Sequence, residues 1–456
     1  MTRRLSLLVN ITGAGNHPGA WTLPGRAPDA YVDPDHHLRV ARTAERGALD
    51  GVFLADIPAL HGDIGRGPGQ ALEPSMLLTY LAAATERIGV VFTGSTTLNE
   101  PYNLARRVLS LDHAAQGRAG WNAVATFFPD AARNFGLDTV LDPATRYRRA
   151  EEFIGLVHRL WDSWEDGALI TDTRGARFAD PDRIHAAGHT GEFFDVAGPL
   201  NVPRSPQGRP VTMQAGASPP GVALAGRFAE AVYTPLLDHE AARGYRARLA
   251  EQARGYGREV SGIRLLPGLT PVLGSTEAEA RARFAALEAG VHEDARQLAR
   301  VARTLGLDPA TTDPEAPLTE AQLSGPPPDR LPTGFFRAHA EIARREGLSL
   351  AGLAARTIGG HRSVVGTPER IADDLTDWWA AGLVDGFTLL PDALPDGLEA
   401  FVDHVLPILR DRGAFRHGYT GTTLRDHLGL PAPAPSYEPS EQKSYEPSEQ
   451  KGATAR

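Results

Sequence analysis

Three residues that rarely share a buried strand stand side by side at positions 120–122: a glycine, a tryptophan and an asparagine. Buried parallel strands are normally filled with Val, Ile and Leu. In RAGWNAVA (118–125), Asn122 lies toward the carboxyl end, where an amide offers both a donor and an acceptor to a bound molecule. Trp121 in the core and Asn122 opening a turn would explain the same letters. Beyond a Pro-Asp turn the loop carries the polar pair Arg133 and Asn134. A second chemical stretch is QAGASPPG (214–221). Gly216 and Ala217 permit a tight turn from strand to helix, and Ser218 ahead of two prolines sets the helix start. Backbone N–H groups and the helix dipole at such a start would seat a phosphate. A simple Ser-Pro cap is the plainer account.

Other hydrogen-bonding residues end apolar runs. Asn16 and His17 follow the first, Asp56 closes the second, and Ser95, Thr96 and Thr97 follow the third. The set has no opposed pair of carboxylates, which argues against two-carboxylate glycoside hydrolysis. His36 and His37 are adjacent, so a helix cannot aim both at one ion, and neither HxH nor HExxH occurs. No GxSxG elbow occurs. The chain has no cysteine, which excludes disulfides, Cys-ligated zinc and Cys nucleophiles. Many polar contacts, little charge and one phosphate seat suit a bound cofactor that carries the hard chemistry itself.

The elements that must position these residues alternate. Apolar runs at 5–10, 51–56, 88–96, 118–125, 211–216, 229–234, 263–273 and 384–391 read as strands, each separated by a helical pattern. Pro-initiated helices are expected after Asp33, Glu73, Ser218 and Thr367, with another from Pro101 and longer ones at about 145–164, 238–256, 276–306 and 396–412. Eight βα units predict an α/β fold, a TIM (β/α)8 barrel with insertions in its carboxyl-end loops, over an open doubly wound sheet. GAGNHPG after the first strand has the wrong spacing for a dinucleotide fingerprint. In a barrel the candidate residues would gather at one face.

One domain is expected over 1–430, with insertion segments at about 165–210 and 276–345. The tail 431–456 carries SYEPSEQK twice in tandem and holds the only lysines, Lys443 and Lys451, among 47 basic residues. Its polar, Pro-containing composition predicts disorder. A net charge of −9 offers no general attraction for nucleic acid or an anionic membrane. No apolar run is long enough to span a bilayer, and the N-terminus lacks a secretory pattern, so a cytoplasmic location is expected.

Several long motifs then occur in one order: VFLAD, GSTTLNEPYNLARR, SLDHAAQGRAGWNAVAT, AARNFG, TRYRRAEEF, LWDSW, GPLNVPRSPQGRPVTMQAGAS, VVGTPERIADDL, VDGFTLL and YTGTTLRDHLGL. Over about residues 5–430 the chain resembles the flavin-dependent two-component monooxygenases of the bacterial luciferase superfamily. Within these it is similar to the group of nitrilotriacetate monooxygenase component A, dibenzothiophene-sulfone monooxygenase and long-chain alkane monooxygenase. The resemblance implies a barrel that binds FMN non-covalently. FMNH2 would come from a separate NAD(P)H-dependent flavin reductase and react with O2 to a C4a-(hydro)peroxyflavin. One oxygen atom would then enter a small organic substrate.

By motif match, Asp56, Thr97, Tyr147, Gly216, Ala217 and Ser218 would contact FMN, with Ser218 on the phosphate. Asn122 would line the ring and serve catalysis, with the small residues of strand 4 giving the flavin room. His17 would face the substrate as a second catalytic residue. One family position departs: a His usually four residues before the tyrosine of the RY motif is Pro143 here. Phe127 and Phe128 replace a more polar run, so they are expected to form a less polar substrate pocket. The alternatives are an F420-dependent hydride-transfer oxidoreductase of the same superfamily and a flavin-binding paralogue without catalysis. Family usage implies a homodimer or homotetramer.

Overall fold

One device recurs at many of the turns from a loop into a helix: a polar residue followed by proline. Asp33, Glu73, Asp142, Ser218 and Thr367 each accept a hydrogen bond from a backbone N–H of the first helical turn, and Pro34, Pro74, Pro143, Pro219 and Pro368 follow them. The cap satisfies a donor that the helix itself cannot, and proline loses nothing at that position. Five helix starts are thereby set by two adjacent residues, and with them the ends of the loops that carry the candidate site. Asp142 and Pro143 also explain why the helix Pro143–Trp161 begins earlier than the apolar spacing predicts.

A computed structural model of the chain describes residues 4–433 apart from 28, 61–63, 66, 70–71, 294–295 and 328–332. The tandem repeat in the tail lies outside the described residues. The main strands are β1 (Ser6–Asn10), β2 (Gly51–Leu54), β3 (Gly89–Ser95), β4 (Ala119–Val124), β5 (Val211–Ala215), β6 (Ala231–Tyr233), β7 (Arg264–Leu265), β8 (Gly268–Leu273), β9 (His361–Gly366) and β10 (Gly386–Leu389). They form one large curled parallel sheet in the order β7-β6-β5-β4-β3-β2-β1-β10-β8-β9, with a short antiparallel strand, Thr357–Ile358, on β9. The fold is α/β.

The segment expected as a single strand at 263–273 is broken at Leu266-Pro267. Its first half pairs with β6 and its second with β10 and β9. Around the break, Leu266 N–H donates to Val232 O (2.8 Å) and Thr388 N–H to Pro267 O (3.0 Å). One segment therefore joins both ends of the sheet order. Strand β9 was not anticipated, because in HRSVVG two valines follow three polar residues, too short an apolar run and with no alternation. The helical region expected at 276–306 is two helices, Glu277–Ala289 and Gln297–Thr304.

Side chains of the sheet divide by the strand period. Outward residues such as Leu7, Val90 and Trp121 join the helices in the large core. Inward Leu8, Phe53, Val91, Val211, Met213 and Leu266 form a second core, sealed at the amino end by Leu424 and Leu428. Gly120 has its explanation there. A Cβ at Gly120 would lie 3.0 Å from Leu424 Cδ2 and 3.2 Å from Val211 O, so its missing side chain makes room for the C-terminal helix. The 165–210 stretch folds as two small hairpins, Leu169–Asp172 with Arg177–Ala179 and His189–Thr190 with Asp195–Val196. By contrast, helices of the 276–345 stretch build their own cluster around Val301, Leu305, Phe336 and Ile342. Among the described residues no helix is long and apolar enough to cross a membrane.

Candidate functional site

The carboxyl ends of β2 to β5 bring most of the expected residues onto one arc. At its start, Asp56, Thr93, Ser95, Glu73, Arg107 and Phe135 line a recess of about 360 Å³. Thr93 Oγ1 accepts from Asn122 Nδ2 at 3.2 Å, across the β3–β4 pair. Asn122 is buried, and its Oδ1 has no partner. A buried amide oxygen left unpaired is unusual, because satisfying it is normally worth more than leaving it dry. Its neighbour Trp121 is ordinary core. The indole is fully buried, donates to Gly94 O (3.1 Å) and packs edge-on against Trp161.

The arc continues through hydroxyls. Ser95 Oγ accepts from Thr97 N–H (3.1 Å) and from Thr126 Oγ1 (2.8 Å), while Thr97 Oγ1 donates to Thr126 O (3.4 Å). These bonds tie the loop after β4 to the loop after β3, and so position Phe127 and Phe128. Their rings lie 4.3 Å apart, tilted by 31°. Phe127 in turn faces Arg146, whose guanidinium carbon is 6.0 Å from the ring centre and 5.9 Å from that of Tyr147. Tyr147 Oη reaches Ser218 Oγ at 3.0 Å.

Ser218 closes the arc as the cap of the helix Pro219–Phe228, accepting from Gly221 N–H at 3.3 Å. Because Pro219 and Pro220 have no N–H, that helix start offers fewer donors than a generic one. What remains is two hydroxyls, on Ser218 and Tyr147, and the N–H groups of Ala217 and Ser218, which make no backbone hydrogen bond among the described residues. Gly216 O is taken by Tyr245 Oη (2.8 Å), which holds the turn. Gly334 lies over it: a Cβ there would approach Ala217 Cβ to 3.0 Å. This donor set fits a phosphate at a helix start. With the unpaired Asn122 Oδ1, the arc has donors for a phosphate and an acceptor for a ring N–H, the pair that a flavin mononucleotide asks for.

Electrostatics single out Asp56. Burial, then the charge of Glu73, pushes its carboxyl up to about 6, while Arg107 and the Ile57 N–H pull it down. Glu73 is itself committed, accepting from Met76 N–H (2.9 Å) and Arg107 Nη2 (2.8 Å).

His17 lies off the arc. It is buried, Nδ1 accepts from Gly19 N–H (3.0 Å), and Nε2 meets Glu288 Oε1 (2.8 Å). That pattern requires the proton on Nε2. The loop after β1 is clamped there to the helix Glu277–Ala289, so closely that a Cβ on Gly19 would sit 2.0 Å from Leu287 O. Burial opposes charge on Glu288, yet the bonds from His17 and from Gln297 N–H hold its carboxyl below the usual range. Arg133 pairs with Asp130, and Asn134 Nδ2 donates to Pro58 O (3.0 Å); both are exposed at the rim. Asn16 is spent on Asn10 and Pro391 O.

Two residues on the arc were missed from the sequence. Thr93 sits in the middle of an apolar strand. Arg146 is hidden in TRYRR, where one arginine of three looks like another. Among the described residues no group of three or more His, Asp or Glu is arranged to hold a metal.

Comparison with known proteins agrees with this geometry. A family model described as luciferase-like monooxygenase matches residues 13–385. The chain is 41% identical to nitrilotriacetate monooxygenase component A of Aminobacter aminovorans over 448 residues, 94% of this chain and 96% of that one. The structure of EDTA monooxygenase from Chelativorans sp. BNC1 is 37% identical with a TM-score of 0.80, covering 94% of this chain and 99% of that one. Riboflavin lyase, solved with a modified FMN and riboflavin, is 32% identical with a TM-score of 0.81 over 94% of this chain and 97% of its own. The chain belongs to the luciferase-like monooxygenase family, and it is a flavin-dependent monooxygenase.

Proposed function

We propose that the protein is the oxygenase component of a two-component system. It takes up FMNH2 from a separate NAD(P)H-dependent flavin reductase and, with O2, places one oxygen atom on a small organic substrate. The observation that carries this reading is the seat formed by Ser218, Tyr147 and the Ala217–Ser218 turn at the end of the arc. The word "component" in a relative's name supports a reductase partner. A relative solved with a modified FMN supports that flavin over others.

Bound reduced FMN would supply the electrons that activate O2. The residues of this chain do the rest. Ser218 Oγ, Tyr147 Oη and the turn amides hold the phosphate, and Asn122 offers Oδ1 to the ring system while Nδ2 stays on Thr93. Thr97 fixes the loop that carries Phe127 and Phe128, and that pair keeps water from the substrate side. Asp56 stands at the open end with a carboxyl that titrates near neutrality. His17 enters as a positioning residue, since both ring nitrogens are engaged in the clamp with Glu288. We read the sheet as a closed (β/α)8 barrel, because the segment 264–273 bridges β6 and β10.

Equilibrium titration is the test. FMN is expected to bind at least about tenfold more tightly than riboflavin, the worth of a charge-assisted phosphate contact. Under ¹⁸O₂, with a flavin reductase and NADH, an accepted substrate gains one ¹⁸O. Binding of F420 in preference to FMN would overturn the reading.

A further inference from the structure

The three arginines of TRYRR meet different fates. Arg148 pairs with Glu192 (3.1 Å), and Arg149 donates to Thr96 O (2.7 Å) with its guanidinium 4.4 Å from the Phe194 ring. Among the described residues Arg146 makes a single hydrogen bond, Nη1 to Leu141 O (3.1 Å). Its Nε is buried without a partner, and no carboxylate pairs with it among the described residues. Asp142, the nearest acid along the chain, caps Thr145 N–H and acts on Arg146 through its charge, without a direct ion pair. Drawing a guanidinium partly out of water without an anion is unfavourable unless something else supplies one. Beside it, the tilted Phe127–Phe128 pair presents an apolar face fixed by Thr126.

We propose that Arg146 and Phe127–Phe128 form one substrate subsite, for an organic acid whose flat apolar body lies on the phenylalanines and whose carboxylate or sulfonate meets the guanidinium. The planar fork of arginine matches such a group with two parallel hydrogen bonds. Phe127 and Phe128 come from a loop that the phosphate seat does not use, while Arg146 shares a helix with Tyr147 of that seat. Its guanidinium lies 6.0 Å from the Phe127 ring centre and 5.9 Å from that of Tyr147, so the subsite adjoins the seat. This inference rests on the FMN reading, since the subsite is placed relative to that seat.

The probes are 2-naphthoate and its neutral isostere 2-naphthamide, titrated calorimetrically into the FMN-loaded protein. Naphthoate is expected to bind about tenfold more tightly than the amide. Arg146→Met should abolish that preference, Arg146→Lys should restore part of it, and Phe127→Ala should weaken both probes alike. FMN affinity in Arg146→Met should stay within about twofold of the parent protein. Equal affinity for the two probes, or binding of neither, overturns the proposal without needing any variant. It is also overturned if Arg146→Met weakens FMN while sparing riboflavin, because the guanidinium then belongs to the flavin phosphate. If the parent protein binds FMN no better than riboflavin, the cofactor reading fails instead, whatever naphthoate does.

Discussion

Arg118 and Arg146 stand at opposite ends of the same sheet, and burial lowers the pKa of both. They differ in what they are given in return. Arg118, at the amino end of β4, donates to the carbonyls of Ala82, Thr85, Ile88 and Ala115 and to Thr85 Oγ1, over 2.6–3.3 Å. Arg146, beyond the carboxyl end, has one acceptor. Asp112 and Asn122 show the same contrast. At the amino end Asp112 accepts from Ala119 N–H, Gln207 Nε2 and Ser205, and Asp50 pairs with Arg416 at 3.0 Å. At the carboxyl end Asn122 Oδ1 is left over. Arg118 and Asp112 are spent on the fold, while Arg146 and Asn122 keep polar atoms without a hydrogen-bond partner. Parallel α/β sheets place ligands at the carboxyl ends of their strands, and here the hydrogen bonds show the cause.

The comparison breaks most directly at Arg118. Arg118→Met strands four buried carbonyls and is expected to destabilise the protein by about 3–5 kcal/mol, whereas Arg146→Met should change stability by less than about 1 kcal/mol. Urea midpoints of the two variants decide it, and equal losses would erase the distinction between the ends. A smaller effect is expected at the seat. Ser218→Asp sets a carboxylate against the incoming phosphate and should weaken FMN about a hundredfold, roughly 3 kcal/mol, with riboflavin much less affected. Fluorescence titration reads both, and unchanged FMN affinity refutes the placement.

The smallest effect concerns Asp56. Its folded pKa of about 6 lies above the unfolded 3.8, so the fold favours the neutral acid. That contribution is complete below about pH 4 and is lost as pH rises through about 6. Asp56→Asn should therefore lose this part of the pH dependence and be more stable than the parent above pH 6 by about 1–2 kcal/mol, allowing for the carboxyl's partial contact with solvent. Urea midpoints at pH 4.5 and 7.5 measure the difference; parallel profiles would show that Asp56 is not perturbed.

Much of the framework was legible because its signals are local. Caps and prolines two residues long set the helix starts at Asp33, Glu73, Ser218 and Thr367, and apolar runs marked the strands around them. Failures came where the signal was short or mixed. HRSVVG hid β9, and one apolar run concealed the break at Pro267. The ring of Tyr233, stacked on His361 with centres 4.9 Å apart, was equally invisible, since its two members lie on β6 and β9.

The sequence by itself determined the alternation of strands and helices, the Ser218 turn, the motif order that places the chain in its family, and the residue types along the arc. Such properties depend on neighbours a few positions away. Only the tertiary structure decided what each polar group would be used for. Gly120 reads as room for a ligand until Leu424 is found in that space. His17 meets Glu288 from 271 residues away, a partner that no local pattern announces. Arg146 reads as one more surface charge until its partners are sought and only Leu141 O is found. Whether a buried donor or acceptor is satisfied is a property of long-range packing, and at this sheet's mouth it separates the residues that hold the fold from those left free to bind.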